Sequence, residues 1–389
     1  MFFLDDRRMI PSMSISPASL AAVERIFERN FVEHQELGAS VSVFWRGEEV
    51  LRLARGHANR EKSRTWNERT LVPVYSATKA PAAATLLLAL ARRGLTEQTA
   101  VREVWPRFSV ANATFAQMLS HQCGLAALDQ PCSIWDHASV VSAIEAQTPA
   151  WLPSHGIGYH PRTFGALLDE AVRRLTGMTL GAYWQSEIAG PMGWEFWMGL
   201  PESQWSRVAT LVPGRAAKGE VEQGFYKEFM SAGTLTRRAF LSPSGLHAVQ
   251  EMNDSRVWSA GFPAMGGVAT AAALAQFYQA AMGCVDSPIT PAIQRALQAK
   301  QAQGEDLVLL QPMSFTCGCQ LDPVDLDGKK TRHLYGPDLH AFGHPGAGGS
   351  HAFGDPSRGL SFAYVMNQMA LSVMPGLRST AMVDALFAE

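Results

Sequence analysis

In Val74-Tyr75-Ser76-Ala77-Thr78-Lys79 a hydroxyl and an amine stand three residues apart, just ahead of an uncharged run of small and apolar residues from Ala82 to Ala91. On a helix that spacing puts both side chains on one face. Pro81 fits only a first turn, so the helix is expected to begin near Ser76 or Ala77. The pair would then sit at the positive end of a buried helix dipole, where a developing oxyanion is favoured. This is the arrangement of an activated serine. The spacing alone arises readily by chance, but Lys79 is the only one of the seven lysines placed three residues after a serine. It also abuts an apolar run, whereas a solvated lysine belongs on a polar face.

An activated serine needs a base and donors for the oxyanion. Two further stretches offer them. In Trp151 to Gly165, Tyr159 ends a loop punctuated by Gly and Pro just ahead of a helix, which would let its hydroxyl enter a cleft. The plain alternative is an amphipathic core tyrosine with its hydroxyl at the rim. In Gly343-His344-Pro345-Gly346-Ala347-Gly348-Gly349-Ser350-His351, glycines between two strand patterns let backbone approach a ligand closely. An outer strand with free N–H groups beside a serine would serve as oxyanion donor; the alternative is a flexible turn.

Other chemistries find no footing. There is no Gly-x-Ser-x-Gly elbow, dinucleotide fingerprint, phosphate loop or His-Glu-x-x-His. His121, His160, His344 and His351 are scattered in context, so no metal and no cofactor are expected. Five cysteines (Cys123, Cys132, Cys284, Cys317, Cys319) match no zinc spacing and read as buried free thiols of a reducing compartment. Apolar residues make up 47% and charged residues 17% of the 389, which suits a large-cored enzyme. With net charge −2 and no basic run longer than Lys329-Lys330, nucleic acid is not an expected partner. The start, Met1 to Arg8, carries acids where a signal peptide needs an apolar core, and the run after Lys79 is too short to span a bilayer. The expectation is a soluble, cytoplasmic protein without a membrane partner; its oligomeric state leaves no mark on the sequence.

The positioning elements follow from periodicity. Ser16-Pro17 marks a helix start, with apolar positions to about Leu37. Alternation from Ala39 to Gly56 around Arg46-Gly47 predicts a hairpin. From Ala82 to about Gln250 the pattern is largely helical, with one clear helix over Arg162–Thr176 and an irregular excursion from Gly214 to Ser244. Thr270 should cap a helix reaching Met282 and stopped by Gly283. Strands are expected over Leu307–Gln311, Ser314–Leu321, Leu339–Gly343, His351–Gly354 and Leu360–Asn367, then a short helix Met382–Phe387. The fold class is therefore α+β: one antiparallel sheet flanked by helices and built from both termini (residues 1–85 and 250–389), with an all-helical subdomain inserted over 86–249.

In this order the three stretches resemble the serine β-lactamase and penicillin-binding superfamily, most closely its family VIII carboxylesterases, which are similar to class C β-lactamases. The specific parts are Ser76-Ala77-Thr78-Lys79, Tyr159-His160-Pro161-Arg162-Thr163-Phe164-Gly165 with Arg173 to Gly177 downstream, and Gly343 to Gly349; Leu119 to Leu125 also looks like a family segment. The resemblance runs from about Ser16 to the C-terminus. It implies that Ser76 is the acylated nucleophile and that Lys79, with a perturbed pKa, takes its proton. Tyr159 would share the role, its phenolate favoured beside a lysine cation. The N–H groups of Ser76 and of Ala347, on the strand after His344, would form the oxyanion hole. His344, Gly346 and Gly348 would contact substrate.

Two departures bear on the substrate. β-Lactamases carry lysine where this chain has His344, and often asparagine where it has Pro161. Both absent groups help hold a β-lactam, and a mostly neutral histidine clamps an anion weakly. The expected activity is hydrolysis of small or short-chain carboxylic esters through acyl-Ser76. The alternatives on the same machinery are a β-lactamase or D-amino-acid-specific peptidase, an acyltransferase, and a non-catalytic sensor that acylates without turnover.

Overall fold

The structure is a computed structural model, and residues 15–214 and 223–388 are described. Met1 to Arg8 and the middle of the Gly214–Ser244 excursion lie outside the described residues. Ser16 accepts the Ser19 amide and caps the Pro17–Glu33 helix, which ends at His34, short of Leu37. The described strands are β1 (Gly38–Trp45), β2 (Glu48–Gly56), β3 (Val72–Pro73), β4 (Phe196–Trp197), β5 (Val268–Ala269), β6 (Ala302–Glu305), β7 (Pro312–Phe315), β8 (Gln320–Leu321), β9 (Phe342–Gly343), β10 (His351–Asp355) and β11 (Leu360–Met366).

Eight of them form one antiparallel sheet in the order β2-β1-β11-β10-β9-β8-β7-β6. β1 lies beside β11, Ala39 opposite Met366 and Trp45 opposite Leu360, so the two ends of the chain do share a sheet. The β1–β2 turn is Arg46-Gly47, both at positive φ (48° and 90°), which matches the twist of a tight hairpin. The Ala271–Ala281 helix, capped by Thr270, packs on β1, β10 and β11. The Leu377–Phe387 helix packs on Pro17–Glu33 and begins earlier than Met382.

Three expected strands differ. Of Leu339–Gly343 only Phe342–Gly343 pairs, Leu339-His340 being a turn. Leu307–Gln311 is a turn, because the Asp306 carboxylate accepts the amides of Val308 and Leu309 and folds the apolar run back on itself. Ser314–Leu321 is two strands, β7 and β8, reversed at Cys317-Gly318. Gly318 has φ 94°, and a Cβ there would lie 2.1 Å from the Ala83 methyl, so the turn rests directly on the helix that follows Ser76.

That helix spans Lys79–Ala91, and every residue from Lys79 to Leu90 is buried. A 3₁₀ turn, Tyr75–Thr78, leads into it. A second sheet, β3-β5-β4, feeds the turn. The Thr78 hydroxyl latches the two together: it donates to the Tyr75 carbonyl (2.5 Å) and accepts the Gly267 amide (3.0 Å), while the Val74 amide donates to the Gly267 carbonyl (2.9 Å). Replacing Thr78 with Val keeps the shape but strands the buried Gly267 amide. Thr78→Val is expected to lower stability by about 1–3 kcal/mol in denaturant titration; an unchanged midpoint would show that the latch is not needed.

Candidate active site

Ser76 sits in the 3₁₀ turn immediately after Tyr75, whose φ of 49° is unusual for a bulky residue. The strain is held by the Thr78 latch and turns the chain sharply at the serine. Lys79 begins the helix proper, and its Nζ reaches back to 3.1 Å from Ser76 Oγ. Nζ also donates to the carbonyls of Pro161 (3.0 Å) and Ala264 (2.8 Å). The side chain is fully buried, and burial, followed by the charge of Arg162, pushes the amine well below its ordinary pKa. A neutral amine has two protons and one lone pair. The two carbonyls take the protons, so the lone pair is left for the serine hydroxyl.

Tyr159 comes from the loop ahead of the Thr163–Thr176 helix. Its amide donates to Asp306 Oδ2 (2.8 Å), the same carboxylate that holds Val308 and Leu309. Its ring lies 4.9 Å from Lys79 Nζ, and its phenol faces Ser76. The phenolate expectation is overturned. Burial drives the Tyr159 pKa upward, with Asp306 adding to it and Ser76 offsetting it only in part, so the phenol is held protonated and can donate. Asp306 went unnoticed in the sequence. Its signal was an acid leading an apolar run, the mark of a side chain that closes a turn on its own backbone. Burial raises its pKa to about 6.

His344 faces the same space, with its ring centroid 5.9 Å from that of Tyr159. Its Nδ1 lies 2.9 Å from the Pro345 carbonyl, which fixes the proton on that nitrogen. Nε2 is buried without a hydrogen-bond partner and is an acceptor only. Burial pushes the His344 pKa down to about 3, so this ring is neutral at pH 7. Ala347 is not on a strand but in the turn between β9 and β10. The amides of Gly346, Gly348 and Gly349 are spent on Ser350, Ser372 and Gly346 carbonyls, whereas the Ala347 amide has no acceptor among the described residues. Gly346 and Gly348 shape this turn and are absent from the cavity wall. A Cβ on Gly346 would lie 2.1 Å from the Val74 carbonyl, so only glycine lets the turn approach the serine segment this closely.

Ser76, Tyr159, His344, Ala347 and Gln320 line a cavity of about 30 Å³ whose apolar wall is Phe240, Leu309, Val373 and Met374. The wall residues come from three separate segments, which no local sequence signal links. Among the described residues no group of three or more His, Cys, Asp or Glu is placed to hold a metal. His121, His160 and His344 do gather around Tyr159, contrary to their scattered look in the sequence. His160 Nδ1 faces the Gly158 carbonyl (2.6 Å) and its Nε2 accepts the Leu125 amide (3.0 Å), while the His121 Nδ1 accepts the His160 amide (3.2 Å). These two rings build the loop and do not form a ligand set. The five cysteines are free thiols, and no described helix is long and apolar enough to cross a membrane.

Comparison with known proteins bears on the same geometry. The esterase/beta-lactamase LipL of Mycobacterium tuberculosis is 29% identical over 363 residues, covering 90% of this chain and 81% of its own. A penicillin-binding protein homologue from Caulobacter crescentus superposes with a TM-score of 0.81 at 34% identity, covering 96% of this chain and 98% of that one. A family VIII carboxylesterase superposes with a TM-score of 0.82 at 28% identity, with the same coverage. The family model described as Beta-lactamase matches residues 23–387, and the chain belongs to that family.

Proposed function

We propose that the protein is a serine carboxylesterase acting on small or short-chain esters. The observation that carries this reading is the Lys79 amine, deprived of its charge and its two protons engaged, 3.1 Å from Ser76 Oγ. Ser76 Oγ attacks the ester carbonyl as its proton passes to Nζ. The oxyanion forms against the N–H groups of Ser76 and Ala347, at the N-terminal end of the Lys79–Ala91 helix. The Tyr159 phenol gives its proton to the departing alkoxide and regains one from the Lys79 ammonium. The C–O bond to the alcohol breaks, an acyl-serine remains, and the amine is neutral again. Water then repeats the sequence on the acyl carbonyl and frees the acid.

Two features favour a neutral ester over a carboxylate-bearing amide. His344, uncharged and with only a lone pair to offer, does not attract an anion. The cavity of about 30 Å³ favours a short acyl group. The relative LipL, an esterase/beta-lactamase, makes the amide reading the natural competitor. A panel of p-nitrophenyl esters of increasing chain length, nitrocefin and D-alanyl amides separates the two. The expected order of kcat/KM is acetate and butyrate first, long chains and amides far behind; preference for nitrocefin would replace the ester reading with the amide one. Ser76→Ala is expected to abolish turnover, and Lys79→Met and Tyr159→Phe each to lose roughly 10²–10⁴-fold in kcat. Full rate in Tyr159→Phe would remove the phenol from the proton path.

The same amine has a cost in stability. Its pKa is lowered on folding, so between the folded value and the ordinary 10.5 the unfolded chain binds more protons and stability rises with pH. Lys79→Met lacks this slope. The stability of Lys79→Met minus that of the parent is therefore expected to fall steadily as pH is raised from 7 to 10. Parallel curves would mean that Lys79 is charged in the folded protein.

A further inference from the structure

Arg162 follows directly on Pro161, whose carbonyl receives a Lys79 proton. Its guanidinium is buried at 7% exposure and docks on one loop: Nε donates to the Pro243 carbonyl (2.9 Å), Nη1 to the Leu246 carbonyl (3.2 Å), and Nη2 to the Gly245 carbonyl. All three acceptors are neutral, and among the described residues no carboxylate forms an ion pair with it. Glu251, the acid that acts on it, spends its carboxylate on the His247 and Ala248 amides. Asp169, about two helix turns beyond on the Thr163–Thr176 helix, is taken by Arg173 and by the Leu180 amide. A buried cation hydrogen-bonded only to dipoles is unfavourable in itself, and an apolar side chain would fill the space more stably. Fold stability does not account for it.

We propose that Arg162 is a positioning residue of this site: it fixes the Pro161 carbonyl against Lys79 and places a positive charge with no ion-pair partner behind the amine, which keeps Lys79 in its base form. The inference rests on the reading of Lys79 as the base. Burial alone already disfavours the ammonium, and the like charge of Arg162 works in the same direction. The other titratable groups around Lys79 cannot supply this. Burial holds His121, His160 and His344 neutral, and the Tyr159 phenol is protonated. Arg162 itself keeps its proton at neutral pH, burial lowering its pKa only to about 10. It is thus the one permanent charge among these groups. It touches neither the serine nor the cavity above it.

Arg162→Lys and Arg162→Gln separate charge from mere packing. Removing the charge lets Lys79 take a proton at higher pH, so the acidic limb of the kcat/KM profile moves up. Relative to its own value at pH 9, kcat/KM of Arg162→Gln at pH 6 is expected to fall about tenfold further than in the parent. Arg162→Lys loses part of the three-carbonyl docking, so its kcat falls, but its charge keeps the acidic limb where it was. Profiles of parent and Gln variant that superimpose would overturn the proposal, as would an Arg162→Lys limb shifted like that of Gln. The Lys79 titration itself is read by NMR on protein carrying ¹³C-labelled lysine, the resonance assigned by its loss in Lys79→Met. This needs no turnover: if ester hydrolysis proves absent, an upward-shifted titration in Arg162→Gln still supports the role of Arg162, and an unchanged one removes it. Should Arg162→Gln fail to fold, Arg162→Lys decides, since an unshifted limb with reduced kcat is expected and a shifted limb refutes.

Discussion

The structure turns on the desolvation of one amine. A lysine in water is a cation and no base. Here the amine is buried at the start of the helix behind the serine, donates to two carbonyls and lies 3.1 Å from the Ser76 hydroxyl. Its pKa is pushed well down by burial, the condition the proposed base role needs. Everything around it serves that condition. Alanines and leucines from Ala80 to Leu90 keep water out. The two carbonyls come from residues 161 and 264, one on the helical side and one beside the small sheet, so neither half of the chain builds the base alone. The amine cannot be made in a peptide containing only Ser76 and Lys79.

The second constraint is that one of the two proposed oxyanion donors, the Ala347 amide, must be brought in from the far end of the chain. β1 and β11 join the termini, and the glycine turn between β9 and β10 reaches Val74 only because Gly346 has no side chain. The Thr78 latch fixes the other lip. Asp306 ties the Tyr159 backbone to the turn that carries Leu309, so the phenol and one cavity wall share an anchor. The machinery is thus held by backbone contacts, with few side chains of its own.

How much of this the sequence carried depended on whether a signal was local. Ser76, Lys79 and the buried helix were legible because spacing, proline placement and an uncharged run all lie within a dozen residues or so. The β1–β2 hairpin and the Thr270 cap were legible for the same reason. Leu307–Gln311 misled because an apolar run has the same composition in a strand and in a turn closed by Asp306. Ala347 was placed on a strand because glycines between strand patterns do not say where pairing stops. The phenolate expectation failed for a deeper reason: it took the lysine as charged, and charge state follows from burial by residues distant in sequence.

His344 shows how that same burial shapes selectivity. A lysine at its position would bring a charge; the imidazole brings a fixed tautomer whose open nitrogen only accepts. A buried, unpaired acceptor disfavours a substrate carboxylate and favours a hydroxyl or a water. Both the attacking water and the departing alcohol of an ester have such a hydrogen to offer. On the ester reading proposed above, the acceptor that offers an anion no partner can therefore also hold the oxygen nucleophile or leaving group beside Tyr159, whereas an amide's anionic groups would meet no positive partner there.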